Sequence, residues 1–192
     1  SLASYIAFWD EMCDMRMNRL MGYIKASLHV RLIGWVGDVP SMVSPHTYSD
    51  ANFAGCMRTL RSTSGVQINI EGPKSCFPIS ARSVRQGCVS TSTPEAEIIA
   101  LCLAYKTLTL VAMDIWDILL PRGYVSIFHE DNSACIQVVR TGKNPTMRYI
   151  GRTHGVAIQF LHESFSRMIA EGKLKLGYTD SNKMVADIYT KA

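Results

Sequence analysis

Residues 66–80 read VQINIEGPKSCFPIS, and the architecture follows from this stretch. Val66, Ile68 and Ile70 alternate with Gln67, Asn69 and Glu71, so a strand with one apolar face runs over 66–71. Residues 71–74 (EGPK) form a turn, and 75–80 a second short strand. Pro78 has no N–H for a ladder, which places this strand at an edge or a bulge. Upstream, residues 46–52 read as another strand, the first of three. Downstream, Pro94 to Leu120 is rich in Ala, Leu and Met and forms the longest helix, ending before Pro121 and Gly123. Then follow a strand (YVSIFHED, 124–131) and a helix over 133–142 closed by Gly142. A helix over 154–172 closed by Gly172, a strand over 173–178 and a final helix over 182–192 complete the chain. Three consecutive strands with tight turns make an antiparallel meander, and strands separated by helices add in parallel. The expectation is an α/β fold: a mixed five-stranded sheet with helices packed on it and strand ends as natural site positions.

Residues 8–26 read as a separate helix, with Met12, Met15, Leu20 and Ile24 apolar and Arg16, Arg19 and Lys25 between them. GDVPSMVSP (37–45) is a Gly/Pro/Ser-rich breaker. It divides an N-terminal segment, 1–40, from a main domain, 41–192. The 192 residues suffice for one domain with a small extension. The chain does not begin with Met, as expected for a piece of a longer polypeptide.

Apolar residues make up 47%, enough for a core, and the net charge of +4 suits a polyanionic partner without requiring one. No run approaches the ~18 apolar residues of a membrane span. The start carries Asp10 and Glu11 where a signal peptide would be basic. The six cysteines show no CxxC or Cys/His zinc spacing. These features point away from a membrane and towards reduced thiols in the cytoplasm or nucleus.

Four acids stand at informative places. Asp50 interrupts the first strand, Asp131 ends YVSIFHED, Glu97 lies in the first turns of the long helix and Asp187 lies in the last helix. Each alone reads as a turn or cap residue. Together they can converge above the sheet, where repelling carboxylates are best explained by Mg²⁺. Two hard cations ~3.5–4 Å apart clamp the attacking and leaving oxygens of a phosphodiester. Glu95 competes with Glu97, but Ser92 and Glu95 form a capping box and Pro94 suits the first turn. Glu97 is followed by Ile98, Ile99 and Ala100, the face that buries the helix, and is favoured as the site residue.

TYSDANFAG (47–55), RSTSG (61–65), STSTPEAEIIAL (90–101), HEDNSACI (129–136) and VADIYTKA (185–192) together resemble the ribonuclease H domain of copia-type retrotransposon Pol polyproteins, over residues 46–192. The segment 8–36 is similar, more weakly, to the connection region that precedes it. The resemblance implies a ribonuclease H-like fold in which Asp50, Glu97, Asp131 and Asp187 hold two Mg²⁺ or Mn²⁺ ions and the RNA strand of an RNA/DNA hybrid is hydrolysed. It also implies a reverse transcriptase domain of the same polyprotein as a partner. The alternative is a domesticated or inactive module that binds nucleic acid or a polyprotein partner without cutting.

RSTSG is the family's tight turn into the second strand. Gly65 is expected to supply a conformation other residues resist, and Arg61 and Ser62 to reach the hybrid. Asn52 shares a strand face with Asp50, and Asn132 adjoins Asp131; both are candidate substrate contacts. Arg152, with Arg58, Arg82, Arg85, Lys143 and Arg148, would give salt-sensitive contacts to phosphates. Two departures stand out. Cellular ribonucleases H carry a His seven residues before the last Asp, and Asp180 occupies that place here. The helix expected at 154–172 lacks the family's Lys-His-rich start. His129, His154 and His162 receive no catalytic role.

Overall fold

The computed structural model describes residues 2–120 and 123–191. The chain divides into two compact units, residues 1–33 and 34–192. The first contains a 3-10 turn over Leu2–Phe8 and helix α1, Glu11–Ala26. Asp10 caps α1, its carboxylate accepting the Cys13 N–H at 2.8 Å.

The second unit is built on a six-stranded sheet in the order β1-β4-β3-β2-β5-β6. The strands are β1 (Trp35–Val36), β2 (Ser44–Asn52), β3 (Thr63–Gly72), β4 (Ser75–Arg85), β5 (Ser126–Glu130) and β6 (Leu174–Tyr178). β2, β3 and β4 form the antiparallel meander, while β5 and β6 add in parallel beside β2. This is the ribonuclease H-like arrangement, with one strand more than expected. The extra strand, Trp35–Val36, lies just before the breaker and pairs with Cys76 and Ser75. Pro78 sits at a bulge: Ile68 pairs Ser80 and Asn69 pairs Pro78, leaving Ile79 out of register.

Helices α2 (Thr93–Ala104) and α3 (Leu110–Leu119) are joined by a π-helical stretch, Tyr105–Thr109. Pro121 lies outside the described residues. The joined helix is long and apolar enough to cross a bilayer, contrary to the expectation that no run is. A lone Lys106 is the only charge in the stretch from Ile98 to Met113. Half of its most apolar window is buried inside the protein, as in a core helix. Val66, Ile68 and Phe128 of the sheet pack against Ile98 and Leu101 of α2, Val139 of α4 (Ser133–Thr141) and Phe165 of α6 (Ile158–Ala170). That layer is the core.

Two further expectations are corrected. The helix expected from 154 starts at Ile158. A single helical turn, α5 (Ile150–Thr153), precedes it, and Gly155 at φ +66° breaks the path between them. The final helix is instead two 3-10 turns, Ser181–Lys183 and Val185–Tyr189. The apolar face that Val185, Ile188 and Tyr189 would share on an α-helix therefore does not form. Ile188 is 73% exposed, while Met184 and Ala186 are buried and pack with Tyr48. The tighter 3-10 winding moves the buried positions by one residue. Ala186→Asp should lower the melting temperature strongly, because it buries an unpaired charge, whereas Val185→Asp should change it little. Thermal melts of both variants check this assignment.

Candidate metal centre

Strand alternation in β2 puts Thr47, Ser49 and Ala51 towards the helices. Ala51 packs on Ala96 and Ala100 of α2, and the Thr109 hydroxyl donates to that of Thr47 at 3.0 Å. His46, Tyr48, Asp50 and Asn52 belong to the other face, where the segment after β6 crosses the sheet. Asp50 stands near the end of β2, Asp131 directly follows β5 beside it, and Glu97 lies in the second turn of α2. Ligand oxygens of Asp50, Glu97 and Asp131 all lie within 4.8 Å of one another.

Asp50 and Glu97 are buried and Asp131 is half-buried. Burial, with Glu130, Asp50 and Asp131 nearby, pushes the Glu97 carboxyl up to about 10. Burial also raises Asp50, against a hydrogen bond from Thr190 that lowers it. Glu97 Oε2 is buried and has no hydrogen-bond partner among the described residues. A buried oxygen without a donor, facing two more carboxylates, is costly unless a cation satisfies it. The donor set is all oxygen, which suits a hard divalent ion such as Mg²⁺ or Mn²⁺.

Asp187 is not one of the three. Its Oδ2 is paired with the Lys191 ammonium, although its charge still acts on Asp50. Thr190, three residues on, is buried and donates its hydroxyl to Asp50 Oδ2. The Ser181 hydroxyl donates to Asp131 Oδ2 at 2.8 Å. Glu130 is fully buried. Its Oε2 accepts from Ser49 Oγ at 2.9 Å and its Oε1 from the Asn132 N–H at 3.2 Å, which ties the end of β2 to the end of β5. Burial drives the Glu130 carboxyl well up, against those two hydrogen bonds.

Glu130, Thr190, Ser181 and Lys191 were missed from sequence. Glu130 was legible, two residues after Phe128 on the inward side of an alternating strand. Nothing in the sequence points to Thr190 or Ser181.

The remaining expected site residues are dispersed. Asn52 Nδ2 donates to the Thr190 carbonyl at 3.2 Å. Asn132 caps α4, its Oδ1 accepting from the Cys135 N–H at 3.0 Å. Arg61 and Arg152 are exposed. Ser62 is fully buried and its hydroxyl accepts the Ala54 N–H at 3.1 Å, so the expected reach to a substrate is corrected to closure of the loop. Gly65 is not in the left-handed region. A Cβ there would lie 2.6 Å from both the Ala186 carbonyl oxygen and Thr190 Cγ2, so its role is room for the crossing segment. Asp180 caps a turn, accepting the Asn182 N–H at 2.9 Å. His129 stacks on Tyr48, His162 bonds the Val139 carbonyl and His154 pairs with Glu95.

No protein-family model matches the chain, and no curated protein sequence matches it. Among solved structures, it is similar to LC11-RNase H1 isolated from compost by a metagenomic approach (14% identity, TM-score 0.49, 76% of this chain and 91% of that one). It is also similar to RNase H1 from the halophilic archaeon Halobacterium salinarum NRC-1 (13%, 0.46, 76% and 93%). A third is the prototype foamy virus protease-reverse transcriptase (13%, 0.47, 81% and 21%). The fold assignment stands on the sheet order and connections themselves.

Proposed function

We propose that the chain is an endonuclease that hydrolyses the RNA strand of RNA/DNA hybrids with two divalent ions. The observation that carries this reading is the convergence of Asp50, Glu97 and Asp131, from two adjacent strand ends and one helix, around the partnerless Glu97 oxygen. Asp187 is assigned as the fourth ligand, one that must leave Lys191 to take up that role. The sequence motifs support the hybrid as substrate and a retrotransposon polyprotein as context. Residues 1–40 are then the connection-like segment, a reverse transcriptase of the same polyprotein the partner, and the cytoplasm or nucleus the compartment.

Bound at these carboxylates, Mg²⁺ or Mn²⁺ would supply charge stabilisation for the attacking and leaving oxygens of a phosphodiester. The chain's own residues fix the carboxylates. The Thr190 hydroxyl orients Asp50, the Ser181 hydroxyl orients Asp131, and Glu130 holds the ends of β2 and β5 together. Such supporting groups are typically worth about 10–100-fold in metal affinity or activity. Arg61 and Arg152 are candidate phosphate contacts, with Asn52 and Asn132 closer to the carboxylates.

A labelled hybrid, compared with double-stranded RNA and DNA, tests the reading. Mg²⁺ and Mn²⁺ should raise the melting temperature and support cutting of the hybrid's RNA strand, while Ca²⁺ should bind with little turnover. Full activity in excess chelator overturns it. Salt-sensitive hybrid binding without cutting in any metal identifies the non-cutting module instead. Asp187→Asn should lower activity strongly in Mg²⁺ and less in Mn²⁺, which binds N/O donors more tightly. Parent-level activity of this variant in Mg²⁺ would remove Asp187 from the ligand set.

A further inference from the structure

Glu95, two residues before Glu97, is 0% exposed in its side chain, and the carboxylate group does not account for it. Its Oε2 accepts the Thr91 N–H at 2.8 Å, the Thr91 hydroxyl at 2.7 Å and the Tyr149 hydroxyl at 3.1 Å. Its Oε1 faces His154 Nε2 at 3.4 Å, and the His154 side chain is 1% exposed. The capping box expected from sequence is therefore half right. Ser92 Oγ does accept the Glu95 N–H, at 3.3 Å, but the Glu95 carboxylate reaches back to Thr91 and is otherwise committed to residues more than fifty positions away.

Both of those distant partners lie in the segment 142–157, between α4 and α6. The segment contains Lys143, Arg148 and Arg152, all exposed, and no acid, in a chain of net charge +4. Met147, Ile150 and Val156 sink into the core, which would hold the segment down without fixing its angle. The Tyr149 hydroxyl bond to Glu95 is directional, and the His154 Nε2–Glu95 Oε1 approach adds a buried close contact without hydrogen-bond geometry. They set the segment's position against the first turn of α2, on the same rigid helix that presents Glu97.

We propose that Tyr149 and His154 are positioning residues that lock the basic segment 142–157 to α2 through Glu95, so that cations facing a nucleic-acid backbone and the Glu97 carboxylate keep one fixed geometry. This rests on the hybrid-nuclease reading for its meaning, though the mechanical coupling can be measured without it. Displacements of about 1 Å between a bound substrate and the reacting groups can cost on the order of 10²-fold in rate, so a stiff strut here has a function that stability alone does not require.

The test compares Tyr149→Phe, His154→Ala and His154→Gln in the full chain. Gln keeps an N–H donor near the place of the imidazole Nε2. Steady-state cleavage of a labelled RNA/DNA hybrid, the Mg²⁺ midpoint and amide hydrogen exchange are measured well below the melting temperature. Tyr149→Phe and His154→Ala should lower kcat/KM about tenfold, mostly through KM, with an unchanged Mg²⁺ midpoint. Exchange should rise jointly in 143–154 and in 93–97. His154→Gln should recover most of the loss. A lower melting temperature with unchanged KM and no rise in exchange at 93–97 overturns the proposal, leaving an ordinary buried pair. If the parent does not cut the hybrid, the nuclease reading fails, and joint or separate exchange still decides whether the strut exists.

Discussion

Glu97→Gln will abolish cleavage and at the same time stabilise the metal-free protein. The loss should be at least about a hundredfold, because residues that merely support metal ligands are already worth about 10–100-fold. The gain in stability follows from the buried carboxyl. Its ordinary value is 4.5, and in the metal-free fold it is pushed up to about 10, first by burial and then by Glu130, Asp50 and Asp131. The folded state thus keeps a proton that the unfolded chain releases. The stability contributed by this group is complete below about pH 4.5 and is lost as pH rises towards about 10. Glu130, also raised, adds a slope of the same sign. Metal-free melting temperature should therefore fall between about pH 5 and about pH 9. Glu97→Gln should flatten part of that fall and raise the value at the alkaline end. Saturating Mg²⁺ should remove the fall in the parent, since cation binding takes the deprotonated carboxylates. Melting curves across pH, with chelator and with Mg²⁺, measure all three. A variant that still cuts the hybrid would show that Glu97 is not a ligand.

Gly65→Val should disable the site without changing any carboxylate. Gly65 pairs with Asp50 across β2 and β3. A Cβ at Gly65 would meet the Ala186 carbonyl oxygen and Thr190 Cγ2 at 2.6 Å and Tyr189 Cβ at 3.1 Å. The Ala186 carbonyl oxygen is backbone and cannot rotate aside, so the crossing segment must lift. Lifting breaks the Thr190 bond to Asp50 and carries Asp187 away. The cost in stability should be about 1–3 kcal/mol, as for other overpacked sites. Activity should fall at least about tenfold with a higher Mg²⁺ midpoint, the signature of a displaced support for a ligand. Gly65→Ala should fall between the parent and Val. Urea melts and metal-titrated cleavage check the two effects separately. Full activity in Gly65→Val would mean that the crossing segment does not organise the site.

The parts of this fold that sequence revealed are those governed by local rules. The alternation of Val66 and Ile68 fixed β3, Gly142 closed α4 at φ +66°, and the missing N–H of Pro78 marked the bulge. Three acids could be placed because each sits where the local pattern calls for something else. Asp50 falls within a buried strand and Asp131 at a strand end. Glu97 lies one position before the buried Ile98. What stayed hidden depends on partners far along the chain. The 3-10 winding of 181–189 is set by packing Met184 and Ala186 on Tyr48, which no propensity within VADIYTK encodes. Gly65 looked like a turn residue because the segment that needs its space lies more than a hundred residues later. Glu95 reads locally as a capping residue, and its ties to Tyr149 and His154 are hidden for the same reason.

The contacts that finish the carboxylate site join residues widely separated along the chain. Thr190 and Asp50 are 140 positions apart, Ser83 and Tyr189 are 106 apart, and Ser49 and Glu130 are 81 apart. Closing such loops costs entropy before any reward arrives, and proteins dominated by distant pairings fold slowly. The meander and the long helix rest on near neighbours and can form early. The carboxylates meet only when the β2–β5 pairing and the crossing segment are both in place. Partly folded chains therefore lack the assembled carboxylates, so the cation binding proposed for them depends on these long-range pairings.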